Sequence, residues 1–186
     1  LDQHVQRSWG AVMLYLTADE LSSGGAEHWQ MVNDANLPFH SGNHVFCSIG
    51  GSDEIDRAPH GQRTLTLSSH FPIDSSEEQS LHAARVQTAQ EKMSETFALR
   101  CPGWAQQIRQ KMTASPRTFE RFTGRPEGRV GGPPRLAGWG QYLRLSPTEI
   151  QPRLYLVGDS VFPGQSTLAC ALSGHRAVES ASRRYF

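Results

Sequence analysis

Only three of the 186 residues are cysteine, and Cys47, Cys101 and Cys170 stand far apart with no CxxC among them. An odd, dispersed set of thiols excludes a disulfide framework and argues for a reducing compartment, so the cytoplasm is the expected location. An excess of one charge is also missing: 18 basic residues balance 18 acidic ones. That balance excludes bulk attraction to nucleic acid, and no nucleic-acid partner is expected. Lysine is scarce beyond residue 100, where Lys111 stands alone among arginines, and that stretch reads as a solvated surface. No apolar run approaches the roughly 20 residues that span a bilayer. Absent too is GxGxxG, the spacing with which a dinucleotide-binding fold seats a pyrophosphate on a helix N-terminus. The nearest spacing, Gly138-Trp139-Gly140, has Leu143 where the third glycine belongs. The chain opens on Leu1 without methionine and reads as a piece of a longer protein.

What is present is an ordinary globular composition, 37% hydrophobic and 19% charged. Residues 9–17 (WGAVMLYLT) are apolar and β-prone. Residues 28–32 and 43–49 (NHVFCSI) read as further strands, and 62–69 (QRTLTLSS) alternates with period two, placing Leu65 and Leu67 on one face. Short connections between them predict a mostly antiparallel sheet with one covered face. From residue 74 the pattern becomes helical. Asp74, Ser75 and Ser76 are candidate caps, Glu77 and Glu78 suit a first turn, and Val86, Ala89, Met93 and Phe97 recur at helical spacing. The mixed charges on residues 76–99 suit a solvated face better than a bilayer surface. Beyond Pro102-Gly103, the spacing of Trp104, Ile108 and Met112 predicts a second helix, ended by Ser115-Pro116. Residues 124–140 (GRPEGRVGGPPRLAGWG) form a long loop whose glycines allow close backbone approach.

Residues 153–157 (RLYLV) are an apolar strand, followed by Gly158-Asp159-Ser160, a turn at 162–165, and a small-residue helix from Ser166 to about Tyr185. A strand ending in glycine lets a ligand approach the backbone. Asp159 at its carboxyl end is an acceptor suited to the hydroxyls of a ribityl or ribose chain. The helix start near Ser166, Thr167 and Leu168 offers N–H donors to a partial negative charge. On spacing alone the favoured reading is that Asp159 simply caps the following turn. No metal is expected: His40 and His44 lie four apart, but Pro38 and Gly42 argue against a helix there. Ser160 lacks the second glycine of a nucleophile elbow. Met13, Tyr15, Phe46, Leu65 and Leu67 are either a lining for an apolar polyene or plain sheet core, and core is favoured.

Residues 154–178 (LYLVGDSVFPGQSTLACALSGHRAV) closely resemble the C-terminal FAD motif of the phytoene desaturase and carotenoid isomerase family. Gly158, Asp159, Ser160, Pro163, Gly164, Gln165, Ser173 and Gly174 fall in register with it, while Ser166 stands where a glycine is usual. Residues 115–132 (SPRTFERFTGRPEGRVGG) look like the family's return from substrate lobe to flavin lobe, in wording that leans towards carotenoid 3,4-desaturases. Residues 8–16 and 57–70 resemble substrate-lobe strands.

The resemblance implies FAD as cofactor, with Gly158, Asp159, Ser160, Gln165, Ser166, Thr167 and Leu168 at the flavin. It also implies an apolar polyene substrate and a pyrophosphate site upstream of Leu1. No catalytic residue, oligomeric state or substrate bond is indicated, and peripheral membrane contact is left to the parent protein. The expected fold is α+β: residues 1–123 a substrate-lobe sheet with helices, and 124–186 the return loop and flavin-binding strand–turn–helix. Two other readings stand beside it. One is a non-catalytic isolated domain binding at most an apolar ligand. The other is the same flavin fold acting on a retinoid, amine or porphyrin.

Overall fold

The computed structural model describes residues 9–22, 24–132, 149–161, 163–164 and 166–185. Chain contacts divide it into two compact units, one of Gly10–Gly128 and one of Leu1–Trp9 with Arg129–Phe186.

The unit Gly10–Gly128 is built on a five-stranded sheet. Its strands are β1 (Trp9–Asp19), β2 (Glu27–Val32), β3 (His44–Ile49), β4 (Gln62–Pro72) and β5 (Ile108–Ala114), in the order β2-β3-β4-β1-β5. The pairs β2–β3, β3–β4 and β1–β5 are antiparallel. Glu20 donates its N–H to the Gly61 carbonyl, so the end of β1 meets the start of β4. The α+β expectation and the mostly antiparallel sheet both hold.

Alternation decides which face is covered. Val12, Leu14 and Leu16 of β1, Val45 and Cys47 of β3, and Leu65 and Leu67 of β4 are buried. They form one core with Val86, Ala89, Met93 and Phe97 of helix α1 (Gln79–Arg100). Each fully buried aliphatic or aromatic side chain of this kind stabilises the fold by about 1.5–3 kcal/mol. Arg63 shares this face and is also buried. Its Nε donates to the Gly50 carbonyl at 2.6 Å and its Nη2 to that of Gly25 at 2.6 Å, while the guanidinium stacks over Trp104. A buried charge is tolerable when its donors are satisfied in this way.

Three local expectations are corrected. Asp74 does not cap α1: its Oδ1 accepts from the Ser76 N–H at 2.9 Å, closing a turn upstream, and the helix begins at Gln79. A short acidic side chain prefers this local bond when the backbone offers it. Glu77 likewise lies before the helix, where it accepts from Arg85 at 2.7 Å. The second helix is only α2 (Pro102–Gln106). Residues Ile108–Ala114 are strand, with Met13 opposite Ala114 and Tyr15 opposite Met112. The open edge of β1 supplies hydrogen bonds that override the helical spacing of Trp104, Ile108 and Met112. Thirdly, Ser115-Pro116 follows strand β5 and starts a helix instead of ending one: α3 (Pro116–Thr123) has proline in its first turn. It closes at Gly124 with φ +69, where glycine alone is unstrained.

The second unit contains an antiparallel ribbon of β6 (Glu149–Gln151) and β7 (Leu154–Tyr155), followed by a turn and helix α4 (Thr167–Tyr185). Here the expected strand 153–157 is shortened. Among the described residues only Leu154 and Tyr155 pair, with β6, and Val157 is half exposed. Glu149 ties the ribbon to the end of α4, accepting from the Tyr185 hydroxyl at 2.5 Å and from Arg184. Trp9 and Val130 form an antiparallel bridge, with the Val130 N–H donating to the Trp9 carbonyl at 2.7 Å.

Candidate functional site

The turn between β7 and α4 is shaped by backbone constraints. Gly158 has φ +113, a conformation that a side chain would strain, and nothing lies within 4 Å of where a Cβ would stand. Its N–H donates to Ser173 Oγ at 2.8 Å, a fully buried hydroxyl on α4. Asp159 follows, and its Oδ1 accepts from the Ser160 hydroxyl at 3.2 Å. Val161 is buried beneath the turn.

The Asp159 carbonyl is enclosed by two glycines. A Cβ at Gly132 would lie 2.2 Å from that oxygen, and one at Gly164 would lie 3.0 Å from it. The close approach expected of the glycine-rich loop is therefore present at Gly132, and its partner is the candidate site itself.

Ser166 caps α4. Its Oγ accepts from the Ala169 N–H at 3.0 Å and its carbonyl from the Cys170 N–H at 2.8 Å. The first bond satisfies one of the orphan donors at the helix start, and the second is the first ordinary bond of the helix. Among the described residues the N–H groups of Thr167 and Leu168 have no acceptor, and both residues are exposed. The structure thus brings Gly158, Asp159 and Ser160 into one turn, with Ser166, Thr167 and Leu168 at the start of the helix that follows it. Gln165 lies outside the described residues.

The remaining candidates are distributed differently. Cys47 lies opposite Leu67 and Phe46 opposite Ser68, so Phe46 faces away from the leucines. Leu65 and Leu67 belong to the face covered by α1, whereas Tyr15, Met112 and Phe46 are on the other face, partly exposed. Of the five apolar residues read as sheet core in preference to a lining, only Leu65 and Leu67 are core; strand parity puts Met13, Tyr15 and Phe46 on the other face. Phe46 stacks on His28 with ring centroids 5.9 Å apart. His44 contacts Gln30 and His40 contacts Ser41. Burial, with His44 nearby, lowers the pKa of His70, and burial pushes the Cys47 thiol up to about 12.

Two contacts of the turn go beyond the sequence pattern, which marks the loop glycines and Ser173 but not what they touch. The Gly132 contact joins segments distant in the chain, and its only signal is the pair Gly131-Gly132. Ser173 is signalled by the small buried residues Ala169, Ser173 and Ala177 at four-residue spacing.

No family model matches the chain. It is 41% identical over 73 residues to a chloroplastic prolycopene isomerase of Arabidopsis thaliana, covering 39% of this chain and 12% of that protein. Identity to a chloroplastic prolycopene isomerase of Daucus carota is 30% over 151 residues, covering 79% of this chain and 24% of that protein. Prolycopene isomerase 2 of an Oncidium hybrid cultivar is 38% identical over 73 residues, again 12% of its length. These curated relatives are carotenoid isomerases by name. The chain spans a quarter or less of their length.

Proposed function

We propose that this chain belongs to a FAD-dependent protein of the carotenoid isomerase and desaturase family, acting on a carotenoid-like polyene. The observation that carries the reading is the in-register set Gly158, Asp159, Ser160, Pro163 and Gly164 on a turn, with Ser173 and Gly174 on the capped helix that follows it. Similarity to prolycopene isomerases is in keeping with it.

The residues present fit a flavin. Gly158 leaves open space beside the backbone, and the Thr167 and Leu168 amides at the helix start have no acceptor among the described residues. Those amides would donate to the pyrimidine edge, where a helix N-terminus favours negative charge. Asp159 would accept from ribityl hydroxyls. FAD supplies hydride-transfer chemistry when bound, and the protein positions it. The polyene would lie on the uncovered sheet face, where Tyr15, Met112 and Phe46 expose apolar surface. A reducing compartment is the proposed location.

A second reading is favoured by the missing GxGxxG: these 186 residues alone would hold only part of a flavin site. Both readings are tested by expressing the full-length polypeptide and this chain separately. We expect stoichiometric flavin absorbance in the former and none in the latter. Full-length protein in a host that accumulates poly-cis lycopene should shift the carotenoid profile, and Asp159→Ala should reduce bound flavin. An unchanged profile with flavin-loaded protein would remove the polyene substrate while leaving the cofactor.

A further inference from the structure

Ser173 lies on the second turn of α4 and has no solvent exposure. Its hydroxyl is used at both ends: it accepts from the Gly158 N–H at 2.8 Å and donates to the Cys170 carbonyl at 2.7 Å. The Cys170 N–H in turn donates to the Ser166 carbonyl at 2.8 Å, and Ser166 caps the helix. A continuous relay therefore runs from the residue before Asp159, through Ser173 and Cys170, to the residue before the open Thr167 and Leu168 amides.

We propose that Ser173 is a positioning residue of the flavin site: its hydroxyl fixes the placement of Asp159 relative to the amides at the start of α4. The proposal rests on the flavin reading above. A small buried residue alone would satisfy helix packing, and alanine, as at positions 169 and 177, does so elsewhere on this face. Alanine at 173 would leave the Gly158 N–H without its acceptor and free the turn to shift. The peptide following Gly158 carries Asp159, so a rotation there moves the carboxylate directly. Gly158 has no side chain to hold its own dihedrals, and nothing lies within 4 Å of where its Cβ would stand.

The test uses the full-length flavin-loaded polypeptide with Ser173→Ala and Ser173→Thr. FAD affinity is measured by fluorescence titration, and the visible absorption band and reduction potential of the bound flavin are recorded. Loss of one buried hydrogen bond predicts affinity about fivefold to tenfold weaker in the alanine variant. Its flavin band and potential should be displaced, and threonine, which restores the hydroxyl, should return both towards the parent. Unchanged affinity, spectrum and potential in S173A would overturn the proposal while leaving the flavin reading intact. Absence of FAD from the parent protein would overturn the flavin reading, and this proposal with it. If S173A does not fold, Ser173→Cys, of similar size but a weaker acceptor, replaces it. Parent-like affinity and spectrum in that variant count against the proposal, and a weaker affinity with a displaced band supports it.

Discussion

Gly132 packs its α-carbon against the carbonyl of Asp159 so closely that a Cβ there would stand 2.2 Å from the oxygen. A glycine far upstream thus limits where the candidate ligand residue can sit. Gly132→Ala should destabilise its unit by about 2–4 kcal/mol, combining left-handed strain with overpacking. Gly124 has a similar φ of +69 but nothing within 4 Å of its would-be Cβ. Gly124→Ala should therefore cost only about 1–2 kcal/mol. Urea denaturation of the two variants separates the contact from the dihedral, and equal losses would show that the contact with Asp159 contributes nothing.

The cap at Ser166 makes a graded series possible. Ser166→Ala removes the acceptor for the Ala169 N–H and should cost about 1 kcal/mol, whereas Ser166→Gly should cost only a few tenths. Amide exchange at Ala169 and Cys170 reads the effect locally. Faster exchange in the alanine variant than in the glycine variant is the expected order.

Glu149 gives the second unit an acid limit. Its hydrogen bond from Tyr185, reinforced by Arg184 and the Arg153 N–H, holds its carboxyl below the usual value of 4.5. The folded state then binds the proton less readily than the unfolded state. Its stabilisation is present above about pH 4.5 and is lost as the pH falls through the lowered folded value. Glu149→Gln should flatten the pH dependence of the thermal midpoint across that window. An unchanged slope in the variant would exclude Glu149 as the source.

The thiols should sort by burial. Cys47 is buried and its thiol is pushed up to about 12, while Cys101 and Cys170 are partly exposed. Burial also raises the Cys101 thiol, so its reaction should be slow. With a maleimide at pH 7.5, mass spectrometry should find Cys101 and Cys170 modified in the native protein and Cys47 only in denaturant. Native labelling of Cys47 would contradict its place in the core.

The fold was legible where the pattern is local. Alternation in residues 62–69 and the spacing of Val86, Ala89, Met93 and Phe97 name the buried faces of β4 and α1 directly. Residues 108–114 misled because Trp104, Ile108 and Met112 satisfy a helical repeat, and the deciding partner, β1, is distant in sequence. Helix α3 was legible in principle, with Pro116 at its start and Gly124 at its end. The same division runs through the candidate site. Gly158, Asp159 and the start of α4 follow one another and could be read as a motif. The Gly132–Asp159 contact and the Ser173 relay arise from folding back, which no periodicity records.

The bridge between Trp9 and Val130 bears on how such a chain can change over time. Residues opposite each other in an antiparallel pair lie about 4.5–5.5 Å apart. The polypeptide therefore departs for the Gly10–Gly128 unit and comes back at neighbouring points. A segment with adjoining ends is an insert: it can be exchanged, lengthened or excised with a short turn to close the gap and without rethreading its host. A lineage could replace its sheet, and with it the apolar surface it offers, as a cassette while keeping the glycine-bounded turn unchanged.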